Sequence, residues 1–256
     1  MRKSYSLLAG FAILFSISVQ AQISLTTPNG SYSEDFDVMG TAGISLPTGW
    51  TAIRIAGTGT VGQALAPAVS NGSSNAGGIY NVGTTGSADR ALGTLASGST
   101  TPAFGFSFTN NTGTIITDFS LSGFSEQWRT GSNAQVERIV FEYSTNATSL
   151  NTGTWTAVST LDLVEVLTSN NSNTAVDGND PANRTAISGA ISSINLANGN
   201  TLWIRWTDQD NTGNDGMYAL HDFKMAWTKA SGNNSVTIPA GVSAAESATN
   251  GTFIIT

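Results

Sequence analysis

Hydrophobic and polar residues alternate along most of the chain with a period of two. The clearest case is 201–228, TLWIRWTDQDNTGNDGMYALHDFKMAWT. Its first run sets Leu202, Ile204 and Trp206 against Trp203, Arg205 and Thr207. Its second run sets Met217, Ala219, His221, Phe223, Met225 and Trp227 against Tyr218, Leu220, Asp222, Lys224 and Ala226. Such alternation in Trp, Ile, Phe and Tyr predicts strands, here a hairpin of two unbroken ones around an acidic, Gly-containing loop. Phe104, Phe106 and Phe108 share one face of 103–109, the pattern of a sandwich core. Further strands are predicted at 32–37, from Trp50 onward, at 78–82, 90–95, 115–124 and 136–144, and once or twice within 155–167. Segments 57–78 and 168–184 read as polar loops, and 186–196 fits either a strand or a short helical turn. Beyond the first 21 residues no stretch combines capping residues with a 3.6-residue apolar period. The pattern predicts an all-β chain, an antiparallel jelly-roll β-sandwich.

Composition narrows this. Of 256 residues, 28 are Gly and only 11% are charged, the texture of many short strands joined by turns. There is no Cys, which rules out disulfides, thiolate metal ligands and a thiol nucleophile. Residues 1–21 read as a secretory signal: Arg2 and Lys3, an apolar run from Leu7 to Val19, then Val19-Gln20-Ala21 as the cleavage site. That run is too short to favour a permanent span. The expected division is a leader over 1–21, one sandwich over 22–230, and a linker with the start of another unit over 231–256. Loss of Arg2 and Lys3 takes the net charge from −7 to −9. An acidic surface repels phosphate backbones, so nucleic acid is not an expected partner, whereas divalent cations are attracted.

Candidate chemistry is sparse. Asp208, Asp210 and Asp215 lie in the hairpin loop, where hard oxygens suit Ca²⁺. The loop starts with EF-hand spacing, but the twelfth position is Ala219 in place of the required Glu. Glu34, Asp35 and Asp37 flank Phe36 and read either as ion ligands or as a solvated strand edge. His221 is the only histidine, and no G-x-S-x-G is present, so nucleophilic catalysis has little to work with. Glu137 and Glu142 have opposite parity, which puts them on opposite faces of a regular strand and removes the nearest carboxylate pair for glycoside hydrolysis. Trp128, with Glu126 and Arg129, reads in two ways: a sugar-binding platform, or core packing beside an ion pair.

The phrases EDFDVMG, LPTGWT, GGIYNVGTTGSADRALGTL, FTNNTG, SEQWRTG, FEYST and LWIRWTDQDNTGNDGMYALHDF occur in that order over 32–228. As a set they resemble modules of secreted bacterial multidomain proteins, similar to the jelly-roll sandwiches of carbohydrate-binding modules and MAM-type adhesion domains. The resemblance implies a structural Ca²⁺ shared between Glu34, Asp35 or Asp37 and Asp222, with His221 standing where those relatives carry an additional Asp. The tail from Val242 to Phe253 resembles the opening of a Calx-β-type repeat. The functional expectation is a secreted, non-catalytic binding or adhesion module, its partner an extracellular glycan or surface protein. The alternatives are a ligand-free spacer of a surface protein and an accessory domain of a secreted hydrolase.

Overall fold

The computed structural model describes residues 22–132 and 136–230, together with two short strands at 244–246 and 253–255. The leader at 1–21 and most of the tail resembling a Calx-β repeat lie outside the described residues. In chain order the strands are β1 (Ile23–Leu25), β2 (Gly30–Glu34), β3 (Trp50–Ala56), β4 (Ala68–Ser70), β5 (Gly78–Val82), β6 (Ala91–Leu95) and β7 (Thr101–Asn110). They continue as β8 (Ile116–Arg129), β9 (Arg138–Ser144), β10 (Thr156–Ala157), β11 (Leu163–Val164), β12 (Arg184–Ile191), β13 (Thr201–Thr207) and β14 (Met217–Lys229). The tail strands β15 (Ala244–Glu246) and β16 (Phe253–Ile255) pair with each other antiparallel. Among the described residues no helix is long and apolar enough to cross a membrane.

Two seven-stranded sheets carry the fold. The first runs β1-β7-β13-β9-β10, with β3 also on β7 and β11 on β9; the second runs β12-β8-β14-β6-β5-β4, with β2 also on β14. From β7 to β9, and again from β12 to β14, successive strands alternate between the sheets. That alternation is the jelly-roll arrangement expected from the sequence, and it corrects the predicted hairpin over 201–228: β13 lies in the first sheet and β14 in the second, so the loop between them crosses from sheet to sheet. The ambiguous segment at 186–196 is largely strand, because β12 pairs with β8 along its whole length from Arg184↔Glu126 to Ile191↔Phe119. β8 runs on past Phe124 to Arg129, since β12 and β14 offer partners on both sides.

Between the sheets lies an aromatic core. Phe104, Phe106 and Phe108 all face inward and are fully buried, as their spacing predicts. Trp50 and Trp206 stack at 6.2 Å with 17° between their planes, and Phe223 meets both edge-on at 5.7 Å. Burying one such side chain contributes roughly 1.5–3 kcal/mol, and these tilted ring pairs about 0.5–1.5 kcal/mol more. The two polar ring atoms find partners: Trp50 Nε1 donates to Tyr32 Oη at 2.9 Å, and Trp206 Nε1 to the Leu161 carbonyl at 2.9 Å.

One strand departs from the predicted alternation. Tyr218 and Leu220 belong to the main core, but so do Phe223, Met225 and Trp227, which have the opposite parity. The register against β8 slips between His221 and Lys224, and Asp222 takes a left-handed conformation with φ 49°. This is a β-bulge: an extra residue inverts the in–out order of everything after it. The unbroken alternation read from the sequence is therefore wrong across 217–227. Asp tolerates positive φ better than most residues do, so no glycine marks the site. The bulge also falls where the partner of β14 changes, from β6 (Tyr218–Leu220) to β2 (Phe223–Trp227).

Deleting Asp222 should abolish the cooperative unfolding transition, because Phe223, Met225 and Trp227 would swing to the outer face. Asp222→Gly should preserve it, whereas Asp222→Val should cost roughly 1–2 kcal/mol for a β-branched residue held left-handed. Urea denaturation followed by tryptophan fluorescence checks all three; a deletion as stable as the parent would refute the bulge's role.

Candidate functional site

A broad concave surface lies on the outer face of the second sheet, where β2, β14, β8 and β12 run side by side. It encloses about 670 Å³. Registration builds its floor in rows. Ser31 faces Ala226, Ala226 faces Ser120, and Ser120 faces Ala190. In the next row Ser33 faces Lys224, Lys224 faces Ser122, and Ser122 faces Ser188. Four adjacent strands make the floor roughly 14 Å wide at the usual spacing of about 4.8 Å. Small side chains keep it low, and serine hydroxyls both donate and accept. Lys224 is the one cation that lines it, and it is exposed with no ion pair among the described residues. One end is marked by Phe124, over whose ring the Arg184 guanidinium sits at 5.2 Å.

Little in the sequence points to this surface. Its serines are scattered over three strands, β2, β8 and β12, and carry no motif. Only a correct register, with the bulge included, brings them together.

Beyond Phe124 the same face is covered. Trp128 is 1% exposed and packs with Tyr80, Val82, Leu95, Met217 and Ala219 in a second, smaller core. Loop 173–178 lies over it: Val176 N donates to the Trp128 carbonyl at 2.9 Å, and a Cβ at Gly178 would come within 2.4 Å of the indole. The sugar-platform reading of Glu126, Trp128 and Arg129 is thereby corrected, and packing is what the indole does. Arg129 is also engaged, donating to the Asn173 carbonyl at 2.8 Å and the Gly72 carbonyl at 3.2 Å.

Glu126 is completely buried. Its Oε2 accepts from Trp128 Nε1 at 3.0 Å, and its Oε1 lies 2.9 Å from His221 Nδ1 and 3.8 Å from Arg184. His221 Nε2 in turn meets Asp89 at 3.2 Å. The imidazole is thus clamped between two carboxylates, with neither nitrogen presented to a hydroxyl. Burial disfavours the imidazolium, but the bond to Glu126 and the charges of Glu126, Asp222 and Asp89 outweigh it and hold its pKa above the ordinary histidine value.

The predicted metal ligands fall into two sets. Glu34, Asp35 and Asp222 line a small pocket beside Lys224. Asp37, on the same stretch of chain, accepts from Arg90 N at 2.8 Å, and Asp35 accepts from Asp37 N at 3.0 Å. Asp208, Asp210 and Asp215 sit in the loop before β14. Asp215 and Asp222 are seven residues apart along the chain, roughly 20 Å in extended backbone, so no single ion joins the sets. Asp208 accepts from Thr94 Oγ1 at 2.7 Å and Gln209 N at 2.8 Å, and Asp215 from Asn211 N at 2.9 Å. Among the described residues no group of three or more His, Cys, Asp or Glu is placed to hold a metal ion.

Near the second set lies Glu137, one of the two carboxylates whose opposite parity argues against a hydrolytic pair. It is buried, and its Oε2 accepts from Gly216 N at 2.7 Å and Tyr218 Oη at 3.0 Å. Glu142 is on the other face, paired with Arg205 at 2.6 Å. Burial raises the pKa of Glu137 and of Glu165, and that of Asp208 strongly. Asp215 is pushed up to about 7 by burial first, then by Glu137 and Asp210.

These shifts fix how stability depends on pH. The raised His221 contributes stability that is full below the unfolded histidine pKa of about 6.5 and is lost as pH rises through its folded value. The raised carboxylates favour the fold when protonated, and that advantage fades as pH rises from about 4 through 7 for Asp215. Both act in one direction, so the urea midpoint should be lower at pH 8 than at pH 5. Asp215→Asn should flatten the decline below pH 7, and His221→Gln the part above the unfolded histidine pKa. A midpoint that climbs with pH would contradict the assignment.

No protein-family model matches the chain, and no curated protein matches it. Among solved structures it is similar to the CBM22-1 xylan-binding domain of Xyn10C from Paenibacillus barcinonensis, at 12% identity and a TM-score of 0.38, covering 81% of this chain and 100% of that one. It is also similar to the K3 cleaved adhesin domain of Lys-gingipain from Porphyromonas gingivalis w83 (13% identity, TM-score 0.40, 77% and 99% covered). A third similar structure is the xylan-binding module CBM15 (11%, 0.37, 79% and 99%). At these values the likeness carries nothing about function.

Proposed function

We propose that the protein is a non-catalytic, carbohydrate-directed binding module acting outside the cell, and that it holds an extended glycan in the groove on β2, β14, β8 and β12. The observation that carries this reading is the floor itself: two registered rows of serine and alanine with a single lysine, open along one sheet face. Serine hydroxyls set among small apolar groups suit a hydroxyl-rich chain whose rings also have apolar faces, because each serine offers both a donor and an acceptor. Without an aromatic platform in the floor, affinity comes from many small polar contacts, several of them through water. The acidic chain, at −7 overall, disfavours nucleic acid in the same groove.

Support for the non-catalytic part comes from His221. Both its nitrogens face carboxylates, so it is not poised as a base beside a nucleophile. The extracellular part rests on the leader read from 1–21.

Affinity electrophoresis against a panel of soluble neutral and acidic polysaccharides tests the reading. At least one should retard the protein. Ser122→Trp, which fills the centre of the floor, should weaken that retardation at least tenfold with little change in melting temperature. Lys224→Ala should weaken it less. Absence of retardation by every polysaccharide, or retardation indifferent to Ser122→Trp, would end this proposal.

A further inference from the structure

We propose that the end of the sandwich at the loop between β13 and β14 carries a second ligand pocket, separate from the groove, shaped for a compact neutral polyol such as one sugar ring. The cavity has a volume of about 360 Å³, in the lower part of the range of roughly 300–1,000 Å³ typical of small-molecule sites. Distant parts of the chain converge on it: Asn75, the turn at Gly98, Arg129 at the end of β8, Asn173, and Asp210, Asn214 and Asp215 from the loop before β14. Leu95 and Ala96, both nearly fully buried, supply an apolar patch. The rest of the lining is polar, more so than in most small-molecule sites, which points to a ligand recognised by hydrogen bonds.

The polar groups select the ligand class. Arg129 is 8% exposed and its guanidinium is already committed: Nε and Nη2 reach Asn173 Oδ1 at 3.2 and 2.9 Å, while Nη1 reaches the Gly72 carbonyl. It is a strut that fixes the wall, and it leaves no uncommitted cation for an anionic ligand. Two carboxylates, Asp210 and Asp215, reinforce the exclusion of anions. Among the described residues no group of three or more His, Cys, Asp or Glu gathers here.

What remains is hydroxyl recognition. The amide of Asn75 has no partner among the described residues and offers both a donor and an acceptor. Asp210 and Asp215 add carboxylate oxygens to the wall, acceptors for the hydroxyls of one ring. Nothing in this inference rests on the groove.

Gly98 gives a clean test. A Cβ there would point at Asp210 Oδ2 from 3.8 Å, an ordinary contact, and its backbone makes no demand for glycine. Gly98→Phe should therefore fill the pocket without unfolding the protein. Saturation-transfer NMR on the full chain, with the methyl glycosides of glucose, galactose, mannose and xylose, should show contact by at least one. Gly98→Phe and Asp210→Asn should each weaken that contact at least tenfold, while Ser122→Trp in the groove leaves it unchanged. The proposal is overturned if no glycoside makes contact at millimolar concentration, or if contact survives Gly98→Phe. It is equally overturned if calcium chloride alone binds and Asp210→Asn abolishes that binding, which would make the pocket a cation site.

Discussion

The bulge at Asp222 decides which side chains of β14 meet the core and which meet solvent. Upstream of it Tyr218 and Leu220 point inward and His221 outward; downstream Phe223, Met225 and Trp227 point inward and Lys224 outward. Because the side-chain period of a strand is two, no other device could bury both sets. The same residue marks the point where β14 exchanges β6 for β2 as its neighbour. Core, groove and clamp all take their places from this one left-handed residue.

The clamp is the costly part of the sheet. A carboxylate taken wholly out of water is tolerated only when paired and hydrogen-bonded. Glu126 is given the Trp128 N–H, the imidazole of His221 and, at longer range, Arg184. Covering this network demands close approach by backbone. Gly72, at φ 90°, lies so near that a Cβ would come within 1.9 Å of the Trp128 carbonyl oxygen. The loops over Trp128 are thus tied to glycine at 72 and 178, in stretches that read only as featureless polar loop.

Alternation was enough to give the all-β class, the inward triplet Phe104, Phe106 and Phe108, and the two strands β13 and β14, but not their pairing: the hairpin it suggested is absent, since β13 pairs with β7 and β9 and β14 with β8, β6 and β2. It failed at Asp222 because a bulge needs no distinctive residue when Asp can take positive φ. Trp128 was ambiguous because an outward-facing aromatic reads the same whether or not distant loops come to cover it. The seven acids proposed for calcium are local in sequence only as two groups, and sequence spacing says nothing of how carboxylates turn. Instead, many of their oxygens accept nearby backbone N–H groups, as Asp35, Asp37, Asp208 and Asp215 do. The groove was illegible for a different reason: serine on an outer strand position is ordinary, and only the register of four strands makes it a surface.

Why one half of this outer face is roofed and the other open follows from side-chain size. Upstream of the bulge the outward residues of β5, β6, β8 and β14 include Tyr80, Val82, Leu95 and Trp128, whose apolar area must be hidden. Loops 71–77 and 173–178 do so, and their polar backbone closes over the clamp. Downstream the outward residues are Ser31, Ser33, Ser120, Ser122, Ser188, Lys224 and Ala226, which carry no large apolar side chain. They offer less hydrophobic gain to order a loop over them against its conformational entropy, at roughly 1–2 kcal/mol per residue. The open groove is therefore a consequence of its own floor, and the residues that leave it uncovered are the same ones that present hydroxyls to whatever lies in it.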